Sequence, residues 1–231
     1  MTISIIPVAG MPEVRPGDDL ADLISERVAL LEGDVVVVTQ KVVSKAEGRL
    51  ESLPTDDPRS GAVLVEREST RVLRRRGELV ISETAQGFVC ANAGVDLSNV
   101  EPGWAALLPE DGDRSARRIR EGLRARTGAG LGVIVSDTFG RPWRRGSTDV
   151  AIGCAGVSAV LDLRGKADAF GRSLQVTEVC VADELASAAE LVMGKAAGIP
   201  AAIVRGADPT WLRQSSVGAE IVRSPGEDLF R

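Results

Sequence analysis

The segment most informative about the fold is Gly132-Val-Ile-Val-Ser-Asp137, which continues into Thr138-Phe-Gly-Arg-Pro-Trp-Arg-Arg-Gly146. Its first part is a short apolar run, as is typical of a strand buried on both faces of a sheet. We expect the strand to end at Asp137 and residues 138–146 to form a loop, so that the carboxylate is held rigidly beside solvent. A second run of this kind covers residues 35–39 and leads into Gln40-Lys-Val-Val-Ser-Lys45.

The rest of the chain mixes strands and helices around a polar loop at 51–60. The expected strands are 3–8, 35–39, 79–82, 104–108, 132–137, 149–153, 160–163 and 200–204, and the expected helices are 18–31, 62–76, 113–126 and 178–196. Adjacent strands without helices between them fit an α+β fold as well as a parallel α/β one. Because neither an internal repeat nor a low-complexity linker is evident, residues 1–231 are expected to form a single domain, with two subdomains as an alternative.

Composition limits the function classes. The net charge is −5, aromatic residues make up 3% of the chain, and Tyr is absent, so the aromatic platforms that bind single-stranded nucleic acid are not expected. No signal peptide or membrane-spanning run is evident, which predicts a cytoplasmic protein without a membrane partner. The three cysteines, Cys90, Cys154 and Cys180, are far apart and are expected to be reduced core residues.

Histidine is absent from the whole chain, which removes the commonest general base and the commonest transition-metal ligand. Any chemistry must therefore use carboxylates, lysines, arginines, hydroxyls and backbone dipoles.

Asp137 and Thr138 are candidate ligands for a hard cation. Mg²⁺ prefers carboxylate and hydroxyl oxygens, usually completed by water and substrate phosphates. Asp96 lies in the segment Gly87-Phe-Val-Cys-Ala-Asn-Ala-Gly-Val-Asp96, where two glycines and paired polar residues indicate a tight loop, and it could supply a third oxygen. The alternative is that both aspartates only cap turns.

Two cationic groups could bind anions. Lys41 and Lys45, with Gln40, follow a buried strand and could neutralise a triphosphate, or they could be ordinary solvated lysines; the chain has no Walker sequence. Arg141 and Arg144 follow Asp137 and could grip a carboxylate or a phosphate, or they could form a basic turn with Trp143 packed beneath it.

The segment Met193-Gly-Lys-Ala-Ala-Gly-Ile-Pro200 closes an Ala-rich helix with small residues. A nucleotide could approach the backbone closely there. The alternative is an ordinary glycine cap followed by proline.

Taken together, these segments resemble the coenzyme F420:L-glutamate ligase family along nearly the whole chain. The residues that carry the resemblance are Gly17-Asp-Asp-Leu20, Gly33-Asp34, Ser44-Lys-Ala-Glu-Gly-Arg49, Gly87 to Asp96, Ser136-Asp-Thr-Phe-Gly-Arg-Pro-Trp143, Asp162-Leu-Arg-Gly165, Ala182-Asp-Glu-Leu185 and Val192-Met-Gly194. Several ordered blocks of this length are specific.

The resemblance implies a GTP-dependent ligase that activates the carboxylate of coenzyme F420-0 as an acyl phosphate and joins L-glutamate to it, releasing GDP and phosphate. It implies a mixed α+β fold of two intertwined subdomains, not a Rossmann fold, and a homodimer. It also implies two divalent ions, Mg²⁺ or Mn²⁺, with K⁺ as a further cation. Asp96 and Asp137 would hold one ion, and Thr138 would help to hold the second.

The resemblance further implies which residues surround the GTP. They are Met11, Pro12, Glu13, Val14, Gln40, Lys41, Lys45, Asn99, Met193, Gly194, Lys195, Ala196, Ala197, Gly198, Ile199 and Pro200. Lys195 departs from the pattern, because some relatives carry an oxygen-bearing metal ligand there and an ammonium cannot coordinate a metal; it is expected to contact phosphate instead.

Catalytic roles are expected for Asp137, Arg141 and Arg144, the two arginines anchoring a substrate carboxylate or phosphate. Phosphoryl transfer relies mainly on positioning and charge neutralisation, which suits a chain without histidine. Two alternatives remain open: a metal-dependent nucleotide hydrolase, and a non-catalytic GTP-binding module that regulates a partner.

Overall fold

A computed structural model describes residues 2–53 and 60–228. Its strands are β1 Ser4–Pro7, β2 Val35–Thr39, β3 Leu50–Ser52, β4 Ser69–Arg76, β5 Leu79–Thr84, β6 Val89–Ala91, β7 Trp104–Ala106, β8 Gly132–Arg141, β9 Arg144–Ala155, β10 Leu161–Asp162, β11 Glu178–Val179 and β12 Ala201–Arg205. Its α-helices are α1 Leu20–Ser25, α2 Gln40–Ala46, α3 Ser60–Glu68, α4 Gly112–Thr127, α5 Val181–Met193 and α6 Val217–Glu220.

The largest sheet has five strands in the order β1-β12-β2-β8-β9. Only the β2–β8 pair is parallel, with Val35 opposite Gly132 and Thr39 opposite Ser136. The other three pairings in this sheet are antiparallel. The two apolar runs of the sequence are therefore neighbours at the centre of a mixed sheet.

Both faces of this sheet are covered, as the β-branched composition of β2 predicts. Val36 and Val38 pack towards α1 and α4, with Leu123 of α4 fully buried. Val35 and Val37 point to the other face, where the Ala-rich α5 packs. The alternation follows from the two-residue period of a strand. The result is a three-layer arrangement of helix, sheet and helix.

Smaller sheets flank this core. β4, β5 and β6 form an antiparallel sheet, and β3 pairs with β7. Segregated mixed sheets with helices agree with the α+β fold expected from sequence. The intertwining of two subdomains and the single domain over residues 1–231 stay predictions.

Several predicted helix bounds are wrong. The helix expected at 18–31 begins at Leu20 and ends at Ser25, and Asp19 caps it by accepting the backbone N–H of Ala21 at 2.8 Å. Arg27 donates to the Leu23 and Gly10 carbonyls, which satisfies backbone acceptors at the end of the helix and holds the chain that follows.

Residues 69–76, expected to continue a helix from 62, form strand β4 instead. The Ser69 hydroxyl bonds the Val65 carbonyl and the Ser82 hydroxyl, where the helix ends and the strand begins. Pairing with β5 then supplies the backbone hydrogen bonds. Tertiary pairing outweighs local helix propensity here. Most of the loop expected at 51–60 lies outside the described residues, and residues 50–52 are strand β3.

The helix expected at 178–196 begins at Val181 and ends at Met193, because Glu178 and Val179 pair with β10 and Gly194 adopts a φ of +60°. The cysteines lack disulfides, as expected; Cys90 and Cys154 are buried and Cys180 is partly buried. Within residues 2–53 and 60–228, helices long and apolar enough to span a bilayer are absent.

The loop expected at 138–146 is the correction that matters most for the site. β8 continues through Asp137 to Arg141, turns at Pro142 and Trp143, and returns as β9. Every residue from Ser136 to Gly140 has a cross-strand partner in β9. The backbone groups that were expected to face solvent are therefore in the ladder of the hairpin. Asp137 thus lies in the interior of a ten-residue strand, not at its end.

Candidate functional site

A cavity of about 1050 Å³ opens at the end of β2 and beside the middle of β8. This volume is at the upper end of the range for small-molecule sites. Its walls come from residues 11–14, helix α2, the segment 90–101, strand β8 and the segment 194–200. The cavity therefore gathers segments that are distant in the sequence.

Helix α2 places two ammonium groups in this cavity. It begins immediately after β2, so Lys41 and Lys45, one helical turn apart, both lie on the wall. Lys41 Nζ donates to Asp96 Oδ2 at 2.5 Å and to Ser98 Oγ at 2.9 Å. Lys45 is 8% exposed and donates to Glu13. The interpretation of both as ordinary solvated surface lysines is therefore wrong.

Gln40 lines the cavity but is 1% exposed. Its amide donates to Ser44 Oγ at 2.7 Å and to the Leu107 carbonyl at 2.9 Å, and Ser44 donates to the same carbonyl. These bonds fasten α2 to the chain after β7. Gln40 thus helps to orient the helix that carries the lysines.

The segment 92–99 shapes the wall opposite α2. Asn92, Ala93 and Gly94 have three successive positive φ angles, and Asn99 has a φ of +53°. The Asn92 side chain accepts the backbone N–H of Val80 at 2.9 Å, which holds this unusual conformation. Strained backbone of this kind tends to occur where a chain presents functional groups, and the tight loop predicted from sequence is confirmed.

Asp96 follows directly from this turn, and its backbone pairs with Ala106 of β7. Burial by itself would raise the pKa of Asp96, but hydrogen bonds from Lys41 and from the backbone and side chain of Ser98 outweigh it and lower the pKa below its ordinary value. The carboxylate is therefore held ionised. The alternative that Asp96 only caps a turn leaves this ion pair unexplained.

Asp137 lies on the neighbouring wall and is partly buried. Burial above all, together with the negative charges of Asp96 and Asp149, raises the pKa of Asp137 to about 7, although the Thr138 backbone N–H and Lys41 act to lower it. This position thus gathers negative charge that a bound cation would stabilise.

Asp137 and Thr138 point to opposite faces, because they are neighbours in a strand. Thr138 Oγ1 donates to Asp149 Oδ1 at 2.5 Å, and Ser136 donates to Asp149 Oδ2 at 3.0 Å. The two candidate ligands therefore do not point at one shared position, and the Thr138 hydroxyl lies beside Asp149.

Asp149 is a site residue that the sequence analysis missed. It is 2% exposed, it lines the cavity, and it accepts hydrogen bonds from both hydroxyls of β8. The signal that could have found it is the hairpin register, in which Thr138 stands opposite Asp149. Ser98, the second partner of Lys41, was also missed.

The segment after α5 forms the remaining rim. Among the residues expected around GTP, those that line the cavity are Met11, Pro12, Glu13, Val14, Gln40, Lys41, Lys45, Asn99, Gly194, Lys195, Ala196, Gly198, Ile199 and Pro200. Met193, the last residue of α5, is fully buried in the core and does not line the cavity, and Ala197 is exposed and outside the lining. The structure brings together most of the predicted nucleotide segment.

Arg141 and Arg144 stand at the exposed tip of the hairpin, outside the lining of the cavity. Arg141 donates to the carbonyls of Arg145 and Gly146 across the turn. Trp143 is 85% exposed, so the interpretation that it packs beneath the turn is wrong. A role for the two arginines with substrate stays a prediction.

The donor set fits a divalent ion with few protein ligands. Within residues 2–53 and 60–228, three or more acidic or cysteine side chains do not cluster as a metal cage would need. Mg²⁺, however, is commonly held by one or two carboxylates together with water and substrate phosphates. Asp96 and Asp137, whose carboxylate oxygens line the cavity, would hold the ion. The described lining also carries five carboxylates and three ammonium groups, and a divalent ion would offset this excess of negative charge.

Comparison with known proteins identifies the family. The family model "F420-0:Gamma-glutamyl ligase" matches residues 10–206. The chain is 47% identical to the coenzyme F420:L-glutamate ligase of Methanopyrus kandleri, with 100% of this chain and 98% of the relative covered. It is 45% identical to the protein of the same name from Methanothermobacter thermautotrophicus over the full length of both, and 43% identical to that of Archaeoglobus fulgidus over 100% and 97%. This chain therefore belongs to the F420-0:gamma-glutamyl ligase family.

Proposed function

We propose that this chain is a GTP-dependent ligase that joins L-glutamate to coenzyme F420-0 by an amide bond. It then adds glutamate to the first product, F420-1, in the same way. The relatives that match over nearly their full length are named coenzyme F420:L-glutamate ligase. Their name supports coenzyme F420 as the acceptor and L-glutamate as the amino acid that is added. The observation that carries the proposal is a cavity whose lining includes Lys41, Lys45, Asp96 and Asp137, with Lys41 bonded to Asp96.

In this proposal the triphosphate of GTP lies along α2. Lys41 and Lys45 are point cations that neutralise phosphate oxygens as negative charge shifts during transfer. The segment 194–200, rich in glycine and alanine, leaves room for the nucleotide to approach the backbone. A divalent ion held by Asp96 and Asp137 would supply further neutralisation of the phosphates.

The proposed reaction has two steps. A carboxylate oxygen of the coenzyme attacks the γ-phosphorus of GTP, and the bond from that phosphorus to the bridging oxygen breaks, which leaves GDP and an acyl phosphate. The amine of glutamate then attacks the acyl carbon, the bond to the phosphate oxygen breaks, and the amine loses a proton. An amide and inorganic phosphate result.

The proposed role of Asp137 differs from that of the two arginines, Arg141 and Arg144. Asp137 would hold a divalent ion, which would supply charge neutralisation for the phosphate. Arg141 and Arg144, on an exposed hairpin at the end of β8, would anchor a carboxylate of the coenzyme or of glutamate as it enters.

The remaining proposals concern setting and assembly. We propose Mg²⁺ or Mn²⁺ as the divalent ion, with K⁺ as a further cation, a homodimer as the assembly, and the cytoplasm as the compartment.

The test mixes the purified chain with GTP, Mg²⁺ or Mn²⁺, L-glutamate and coenzyme F420-0, and follows product mass and released phosphate together. A ligase forms one glutamate adduct for each phosphate and releases little phosphate when the acceptor is omitted. Phosphate release without the acceptor would instead indicate a nucleotide hydrolase. GTP that binds and stays intact would indicate a regulatory module.

A further inference from the structure

Lys195 lies on the wall of the cavity among three oxygen atoms. It contacts Thr138 Oγ1, and its Nζ lies 3.5 Å from Asp149 Oδ1 and 3.6 Å from Glu190 Oε1. The three partners come from β8, β9 and α5. The ammonium group thus has one hydroxyl partner and two carboxylates at ion-pair distance.

The buried carboxylate of Asp149 needs a cation. It is 2% exposed, and a buried charge is costly unless it is paired and hydrogen-bonded. Its hydrogen-bond donors in the described chain, Ser136 and Thr138, are neutral hydroxyls. Among the described residues, Lys195 is the positively charged group that forms an ion pair with Asp149.

The same oxygens are those that a second divalent ion would use, since Thr138 is the residue expected to hold it. Mg²⁺ would have to lie about 2.0–2.1 Å from its ligands, inside the space that the ammonium occupies. The two positive charges would also repel each other at such short range. The donor set of this chain therefore does not fit a second divalent ion.

We propose that Lys195 is a built-in cation that takes the place of a second divalent ion, so that the chain binds one divalent ion, at Asp96 and Asp137. This inference rests on the proposed function, in which the cavity holds a triphosphate. The Lys195 side chain is 62% exposed, so its ammonium can contact a phosphate oxygen while it stays beside Asp149. A covalently attached cation also keeps its position when nucleotide leaves.

The test counts bound Mn²⁺ per chain by loss of the free-ion electron paramagnetic resonance signal, with the full-length protein and Mn²⁺ alone as the probe. Lys195→Gln and Lys195→Glu are compared with wild type, and Lys166→Gln is the matched control, because Lys166 is an exposed lysine outside this cavity. We expect both Lys195 variants to bind one Mn²⁺ more than wild type and Lys166→Gln to bind the same number. Adding Asp149→Asn to Lys195→Gln should return the count to one, and adding Asp137→Asn to that double variant should remove the remaining ion.

Thermal unfolding gives a second readout. Lys195→Gln leaves Asp149 buried without its cation, so its melting temperature should fall in EDTA and recover in Mn²⁺ more than that of wild type. Two Mn²⁺ ions in the wild-type chain would overturn the inference, and so would an unchanged count in both Lys195 variants. These results do not depend on turnover, so a failed ligase assay with the expected counts refutes the proposed function alone.

Discussion

Lys41 and Asp96, 55 residues apart in the chain, are joined by an ion pair of 2.5 Å at the wall of the cavity. The pair links the helix that follows one central strand to the strained turn before β7. The lysine that is proposed to bind phosphate thus has an acidic partner, and that partner is a proposed metal ligand. Binding of a triphosphate and of a divalent ion should therefore be coupled through the exchange of partners at this pair.

Lys41→Met should raise the KM for GTP about 10- to 150-fold, because a hydrogen bond to a charged group contributes about 1.5–3 kcal/mol. Steady-state kinetics at saturating glutamate and coenzyme measure this change. Lys166→Met, which removes an exposed lysine outside the cavity, is the control and should leave the KM unchanged. A normal KM in Lys41→Met would remove the lysine from the nucleotide site.

Asp137→Asn should abolish turnover, with a loss of at least about 100-fold, because the amide cannot balance the charge of a divalent ion during phosphoryl transfer. The fold should persist, since the substitution removes a negative charge that lies near those of Asp96 and Asp149. Product mass spectrometry measures turnover, and circular dichroism with thermal unfolding checks the fold. A variant that extends the coenzyme at the normal rate would exclude Asp137 from the mechanism.

The double substitution Arg141→Ala with Arg144→Ala should raise the KM for glutamate or for the coenzyme about tenfold or more, because an arginine guanidinium can form a bidentate pair with a carboxylate. The KM for GTP should stay unchanged. Separate titrations of each substrate distinguish these outcomes. Arg117→Ala removes an exposed arginine from α4 and is the matched control. Unchanged dependence on both acceptor substrates would show that the hairpin tip does not bind them.

Gly94→Ala should destabilise the chain by about 1–3 kcal/mol, since overpacking and an unfavourable positive φ both add cost. The φ of Gly94 is +70°, and an added Cβ would lie 2.5 Å from the Leu108 side chain. Urea unfolding measures the change. Gly61→Ala is the control, because it has open space within α3 and a helical alanine is preferred over glycine; equal stability of the two variants would contradict this account of the turn.

Alkaline pH should destabilise the chain through its buried thiols. Burial raises the pKa of Cys154 and of Cys180 from the ordinary value of 9.0 to about 12 each. Above pH 9 the unfolded chain loses these protons while the folded chain keeps them, so the stabilisation is complete below pH 9 and is lost as the pH rises towards 12.

The size of this effect is at most about 1.4 kcal/mol for each thiol at about pH 10. It is measured as the difference between urea unfolding at about pH 8 and about pH 10, in wild type and in the Cys154→Ala, Cys180→Ala double variant. The variant should lose less stability over this interval. An identical loss in both proteins would show that the thiols do not contribute.

Much of the site could be predicted from local sequence. The two apolar runs identified neighbouring central strands, and Lys41, Asp96 and Asp137 were all placed in a candidate site that the cavity brings together. Asp149 was not, because its importance depends on cross-strand register with Thr138 and not on any pattern around it. Residues 69–76 and 138–146 were assigned wrongly for the same reason, since strand pairing supplied their backbone hydrogen bonds.

The amino-acid sequence by itself determined the buried strands, the absence of histidine and the family, because apolar periodicity, composition and ordered blocks are properties of the chain alone. Only the tertiary structure decided that Lys41 pairs with Asp96, that Asp149 is a buried member of the site, and that Lys195 lies beside it. The physical reason is that an ion pair or a buried charge depends on distance and dielectric surroundings, which arise when separate segments pack together.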